Sequence, residues 1–167
     1  MIKKFKLSAG FTLIEMMLYM ALLGFLMITM TELFAGILDV RSESATTSAV
    51  EQDGRFLLSR FVYDIQQASF VSTPASDGNS GNSLTLVIGG VNYTYSVVNG
   101  NLQIVNNFGT DILNSSETSI SNLTFQRAGN TASGGKTTVQ TTFTVTSTGL
   151  ENGRTQQKTF STTAGLR

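Results

Sequence analysis

A chain of 167 residues has room for one compact domain plus an extension. It contains no cysteine and no histidine, so it offers no disulfide framework and no imidazole or thiolate for zinc, copper or haem, which argues against redox chemistry and transition-metal catalysis. Eleven basic residues balance eleven acids and charged residues are only 13 % of the chain, while Ser, Thr, Asn and Gly crowd its C-terminal half. This fits an exported, neutral surface and gives no sign of direct nucleic-acid binding.

In chain order, the first element is a short basic leader holding Lys3, Lys4 and Lys6, followed by Gly10-Phe11-Thr12-Leu13-Ile14-Glu15 and an apolar run to Leu38. No charge occurs from Met16 to Thr31. As a helix at ~1.5 Å per residue the run from Phe11 to Leu38 spans about 40 Å, enough to cross a hydrocarbon core of about 30 Å once. The lysines precede it and Asp39, Arg41 and Glu43 follow it, so the positive-inside rule puts the N-terminus in the cytoplasm and the bulk of the chain outside. The run exceeds the roughly 7 to 15 residues of a secretory signal core, and no convincing small-x-small cleavage site follows it. Loss of the leader removes three of the eleven basic residues, leaving eight against eleven acids, or a net charge of −3.

Glu15 is the residue that a plain anchor does not explain. An acid within a membrane segment costs about 2.5 to 3.5 kcal/mol on insertion scales unless it reaches water or a partner. It lies four positions after Phe11. A cut between Gly10 and Phe11 would place a new amine at the start of the helix that carries this carboxylate, and the two charges could neutralise each other within one subunit or between neighbours.

Gly10 to Glu15, in this leader and membrane setting, resembles the N-terminus of type IV prepilins and pseudopilins. The resemblance implies a dedicated membrane peptidase that cuts after Gly10 and N-methylates Phe11, with Glu15 as the carboxylate that meets a neighbour's N-terminal amine during assembly. Two departures stand out: the only proline is Pro74, whereas many major pilins carry one within the membrane helix, and Glu32 stands where the apolar run ends. Glu32 lies about 25 Å along the axis from Glu15, at the expected outer interface. Gly24 and Gly36 could let the helix bend or pack closely.

Beyond Leu38 the helical pattern turns amphipathic, with Val50, Leu57, Phe61, Ile65 and Ala68 forming a stripe that would pack on a sheet. Pro74 and the run Ser76 to Asn82 stop it. The segment Arg55 to Ala68 looks like the helix of minor pilins and minor pseudopilins of the group that includes the J-type secretion pseudopilin and the W-type pilus subunit. Read as residues alone, its arginines and aspartate make solvent-exposed pairs of little energetic weight. The expected divisions are 1–10 leader, 11–38 transmembrane half of the stem helix, 39–72 amphipathic half, and 73–167 β-rich domain.

The remainder reads as strands. Leu84, Leu86 and Ile88, then Val91, Tyr93, Tyr95 and Val97, then Leu102 and Ile104 alternate around the turns Gly89-Gly90 and Asn99-Gly100, predicting a three-strand meander. Further strands are expected near Ile120 to Arg127, Thr137 to Thr148 and Arg154 to Thr163. Several strings fall short of chemistry. Gly129 to Thr137 ends in Gly-Lys-Thr, but Asn130 stands where a phosphate loop has glycine, and the flanks read as strands. Ser133 to Lys136 lacks the partners of an acyl-transfer motif. Asp77 to Asn82 reads as a solvated loop sooner than a calcium site, and three Asn-x-Ser/Thr triplets at Asn92, Asn114 and Asn122 receive no role.

The expected fold is thus α+β and pilin-like, a long N-terminal helix packed on an antiparallel sheet. The expected function is that of a minor pilin or pseudopilin subunit in the assembly or initiation of a type IV pilus or type II secretion-like fibre, with no enzymatic activity, cofactor or metal. Its implied partners are a prepilin peptidase, other pilin subunits and an inner-membrane assembly platform. The alternative is a membrane-tethered exported adhesin or ligand-binding domain that does not polymerise.

Overall fold

The structure, a computed structural model, describes residues 10–129, 134–150 and 155–167. Helix α1 spans Leu13–Gln67. Its start follows from local chemistry: Thr12 lies just before it, with its Oγ1 accepting from the Glu15 amide at 3.3 Å and its carbonyl from the Met16 amide at 3.2 Å. Thr-x-x-Glu is the spacing of a capping box, which supplies partners to amides that the first turn leaves free. Two compact units divide the chain, one reaching to Arg41 and the other Ser42–Arg167.

Within the first unit the apolar side chains of α1 lie exposed, from Leu13 to Val40. The hydroxyls of Thr29 and Thr31 donate back to the carbonyls of Leu26 and Met27 at 2.9 and 2.8 Å, so neither needs water. Among the described residues this is one helix long and apolar enough to cross a membrane.

In the second unit α1 buries Val50, Leu57, Phe61 and Ile65, and Ala68 just past its end completes the stripe read from the sequence. The helix ends at Gln67, short of the expected 72. Ala68 closes on the Ile65 carbonyl at 3.3 Å and the Ser69 amide donates to Val87 at 2.9 Å, passing the chain to a sheet. Phe70–Thr73 then forms strand β1, with Val71 buried and Phe70 exposed. Alternation and a β-branched, aromatic composition outweigh helix continuation where a sheet edge offers backbone partners.

The strands form two antiparallel sheets, not the single sheet expected. With β3 Leu84–Ile88, β4 Val91–Val98, β5 Asn101–Asn106 and β6 Gly109–Ile112, the first runs β1-β3-β4-β5-β6. With β2 Ser80–Gly81, β7 Thr118–Ala128, β8 Thr138–Ser147 and β9 Gln157–Gly165, the second runs β2-β7-β8-β9. The predicted meander is β3-β4-β5. At its second turn Asn99 and Gly100 both take positive φ, 51° and 79°, the left-handed pair that a two-residue hairpin turn requires. The later expected strands correspond to β7, β8 and β9, although a start of the last at Arg154 lies outside the described residues.

Phe61 of α1 joins the layers. Its ring lies 5.3 Å from Tyr95 of β4, 5.5 Å from Phe125 of β7 and 5.8 Å from Phe143 of β8. Tilted and edge contacts of this kind add about 0.5 to 1.5 kcal/mol each beyond area burial. Helix and strand approach so closely at Gly54 that a Cβ there would stand 2.1 Å from the Phe160 ring of β9.

Candidate processing and docking segment

Gly10, Phe11 and Thr12 precede the first helical turn, and all three are exposed. The Gly10–Phe11 bond therefore lies outside the helical hydrogen-bond ladder. A Cβ on Gly10 would meet nothing within 4 Å, so the chain's own packing does not require glycine there and any steric demand for it comes from outside the chain. Glu15 is half-buried among exposed neighbours. Its Oε1 accepts from the Tyr19 hydroxyl at 3.3 Å, and the Phe11 ring meets the Tyr19 ring edge-on at 6.3 Å and 75°. The structure thus gathers Phe11 and Glu15 around Tyr19, a residue that sequence reasoning did not single out. The signal was present: Tyr19 is the only phenol in the apolar run and lies four residues after the acid, on the same helix face.

The polar clusters of the Ser42–Arg167 unit tie its elements together. Asp64 is buried, receives Arg60 Nε at 2.6 Å and accepts from the Tyr95 hydroxyl, so the Arg60–Asp64 pair expected at the surface is in fact half inside. Burial, then the bond to the Asp64 carboxylate and its charge, raise the Tyr95 pKa above its ordinary value. Burial works against the Arg60 charge, but Asp64 more than offsets it and the pKa of Arg60 is raised.

Arg127 of β7 is also buried. Its Nη1 donates to the carbonyls of Val71, Pro74 and Ala75 at 3.0, 3.3 and 3.0 Å, and its Nε to Asp77 Oδ1 at 3.0 Å. The supposed solvated loop is therefore stitched to β7, both by this arginine and by β2. Asp53 of α1 accepts from the Ser115 amide and hydroxyl at 2.9 and 2.8 Å and from the Thr118 hydroxyl. Asn114 is buried, accepts from the Leu102 amide at 2.8 Å and donates to Ser115 and Thr118, which closes that triplet to glycosylation in the folded chain. Gly129 to Thr137 lies between antiparallel β7 and β8 and not before a helix, the arrangement a phosphate loop needs. Ser133 falls outside the described residues.

A long helix with an apolar, exposed first part and a β-rich unit packed on its second part is a pilin-like α+β architecture. Residues 5–31 match the family model described as the prokaryotic N-terminal methylation motif. This match supports the type IV prepilin and pseudopilin family for the N-terminal segment. The motif implies processing by a prepilin peptidase and membrane association with pilin-type partners, and the apolar helix is consistent with inner-membrane anchoring. No curated protein and no solved structure matches the chain.

Proposed function

We propose that this chain is the precursor of a minor pilin or pseudopilin subunit, inserted with its N-terminus in the cytoplasm, cut after Gly10, methylated on Phe11 and packed by α1 into a fibre. Its role is assembly or initiation, not catalysis. The observation that carries the reading is the methylation motif running into an apolar helix whose early acid has no charged partner among the described residues. Apolar burial supplies most of the packing energy and Glu15 sets the register, since a misplaced subunit leaves a carboxylate unneutralised in lipid. The resemblance of Arg55 to Ala68 to minor subunits supports the narrower assignment.

Glu15→Leu tests the docking step. The variant is expected to insert and be cleaved normally while entering sheared fibres about tenfold less, equivalent to about 1.4 kcal/mol. Wild-type incorporation of this variant would contradict the docking role. Gly10→Leu is expected to retain the leader, and recovery of a chain cut at Phe11 from that variant would overturn the site assignment.

A further inference from the structure

Among the described residues of the apolar run, one hydrogen bond joins two side chains, and neither the motif nor the fold requires it. A carboxylate and a phenol are both costly in hydrocarbon without partners. Glu15 and Tyr19 lie four residues apart on one face of the first two turns of α1, and Phe11 stands just ahead of the helix. There the Tyr19 hydroxyl donates to Glu15 Oε1 at 3.3 Å, while the Phe11 ring rests edge-on against the tyrosine ring. Among the described residues Tyr19 is the side-chain donor to this carboxylate, and Oε2 has no such donor. The other hydroxyls of the run bond elsewhere, Thr12 to the helix cap and Thr29 and Thr31 to the preceding turn.

We propose that Tyr19 is the positioning residue for docking: it holds Glu15 by Oε1 in the unassembled subunit and leaves Oε2 directed to an incoming cation, a neighbour's N-terminal amine. This rests on the fibre reading above. An ionised carboxylate has about four acceptor sites, so one phenol and one ammonium can share it without either being displaced. The phenol offsets part of the desolvation of the acid before docking and removes its rotational freedom, so less order remains to be imposed when the subunit enters the fibre. Phe11 limits the tyrosine ring in turn.

The test compares wild type with Tyr19→Phe, which keeps the ring and removes the hydroxyl. The full chain, with 13C in its glutamate carboxyl groups, is placed in phospholipid bilayers, and the Glu15 resonance is identified by its loss in Glu15→Gln. The expected results are a shifted Glu15 resonance in Tyr19→Phe, unchanged cleavage after Gly10, and about tenfold less chain in fibres, which converts to about 1.4 kcal/mol. A resonance that does not move shows that the hydroxyl does not hold the carboxylate and overturns the proposal. A shifted resonance with wild-type incorporation overturns the docking role. If Glu15→Leu itself enters fibres normally, the fibre reading has failed and the docking role of Tyr19 falls with it, a result separable from the others because the resonance still reports the bond.

Discussion

Asp64 sits where a helix stripe should be apolar, and its two partners explain why it is tolerated. Arg60 brings the charge and Tyr95 the hydrogen bond, so the carboxylate is buried without being isolated. The arrangement has a pH signature. The Tyr95 pKa is raised from 10.0 in the folded state, so the stability it represents is complete below pH 10.0 and is lost as pH rises above it, because the unfolded chain releases its proton first. Urea unfolding of the detergent-held chain, followed by circular dichroism, is expected to show a decline of about 1.4 kcal/mol per pH unit above pH 10 that is absent in Tyr95→Phe. Equal slopes in the two proteins would count against the buried bond. Arg127→Met should destabilise by about 3 to 5 kcal/mol in the same assay, since the carbonyls of Val71, Pro74 and Ala75 lose a charged donor. Arg127→Lys should recover only part of the loss, an ammonium lacking the planar fork.

These residues show what was legible and what was not. Glu15 stood out because a charge in an apolar run is an energetic anomaly. Asp64 and Arg127 were visible only as positions: Asp64 lies in the buried stripe beside Phe61 and Ile65, and Arg127 shares the inward parity of Phe125. Their buried partners, Tyr95 and the carbonyls near Pro74, come from elements remote in the chain. Local pattern carries the facing of a side chain but not what waits across the layer.

At the scale of elements, the helix stripe and the β3-β4-β5 meander were legible because each repeats its period over several residues. β2 and β6 are only 2 and 4 residues long, too short for a period to declare itself. The contact between α1 and β9 was also hidden, since it depends on an absence. Gly54 would ordinarily weaken a helix by about 1 kcal/mol relative to alanine. Here the missing Cβ admits Phe160, whose ring is stacked on Phe143 at 5.7 Å and lies under the Lys158 ammonium, so it has little freedom to retreat. Gly54→Ala is therefore expected to destabilise by about 1 to 3 kcal/mol despite its better helix propensity. Combined with Phe160→Ala it should cost less than the sum of the two changes, and strict additivity would place the strain elsewhere. Near this crossing Lys158 donates to Glu51 and holds its carboxyl below the usual 4.5, with burial opposing and Arg55 assisting. That contribution is present above pH 4.5 and is lost as the medium is acidified further.

For the whole molecule, the two units answer different demands. The Ser42–Arg167 unit has its own core, and the outer face of its second sheet is rich in Ser, Thr and Gln, including the pairs Thr142 with Ser161 at 3.1 Å and Thr144 with Thr159 at 3.0 Å. The unit reaching to Arg41 buries little of its apolar surface alone, and that exposed surface, with one acid near its start, is what the assembly reading explains. The most direct test is mass spectrometry of the N-terminal peptide from native membranes, with and without the prepilin peptidase. The expected result is a peptide beginning at methylated Phe11 that disappears in the peptidase mutant. An intact leader in both strains, or a terminus beyond Leu38, would contradict it.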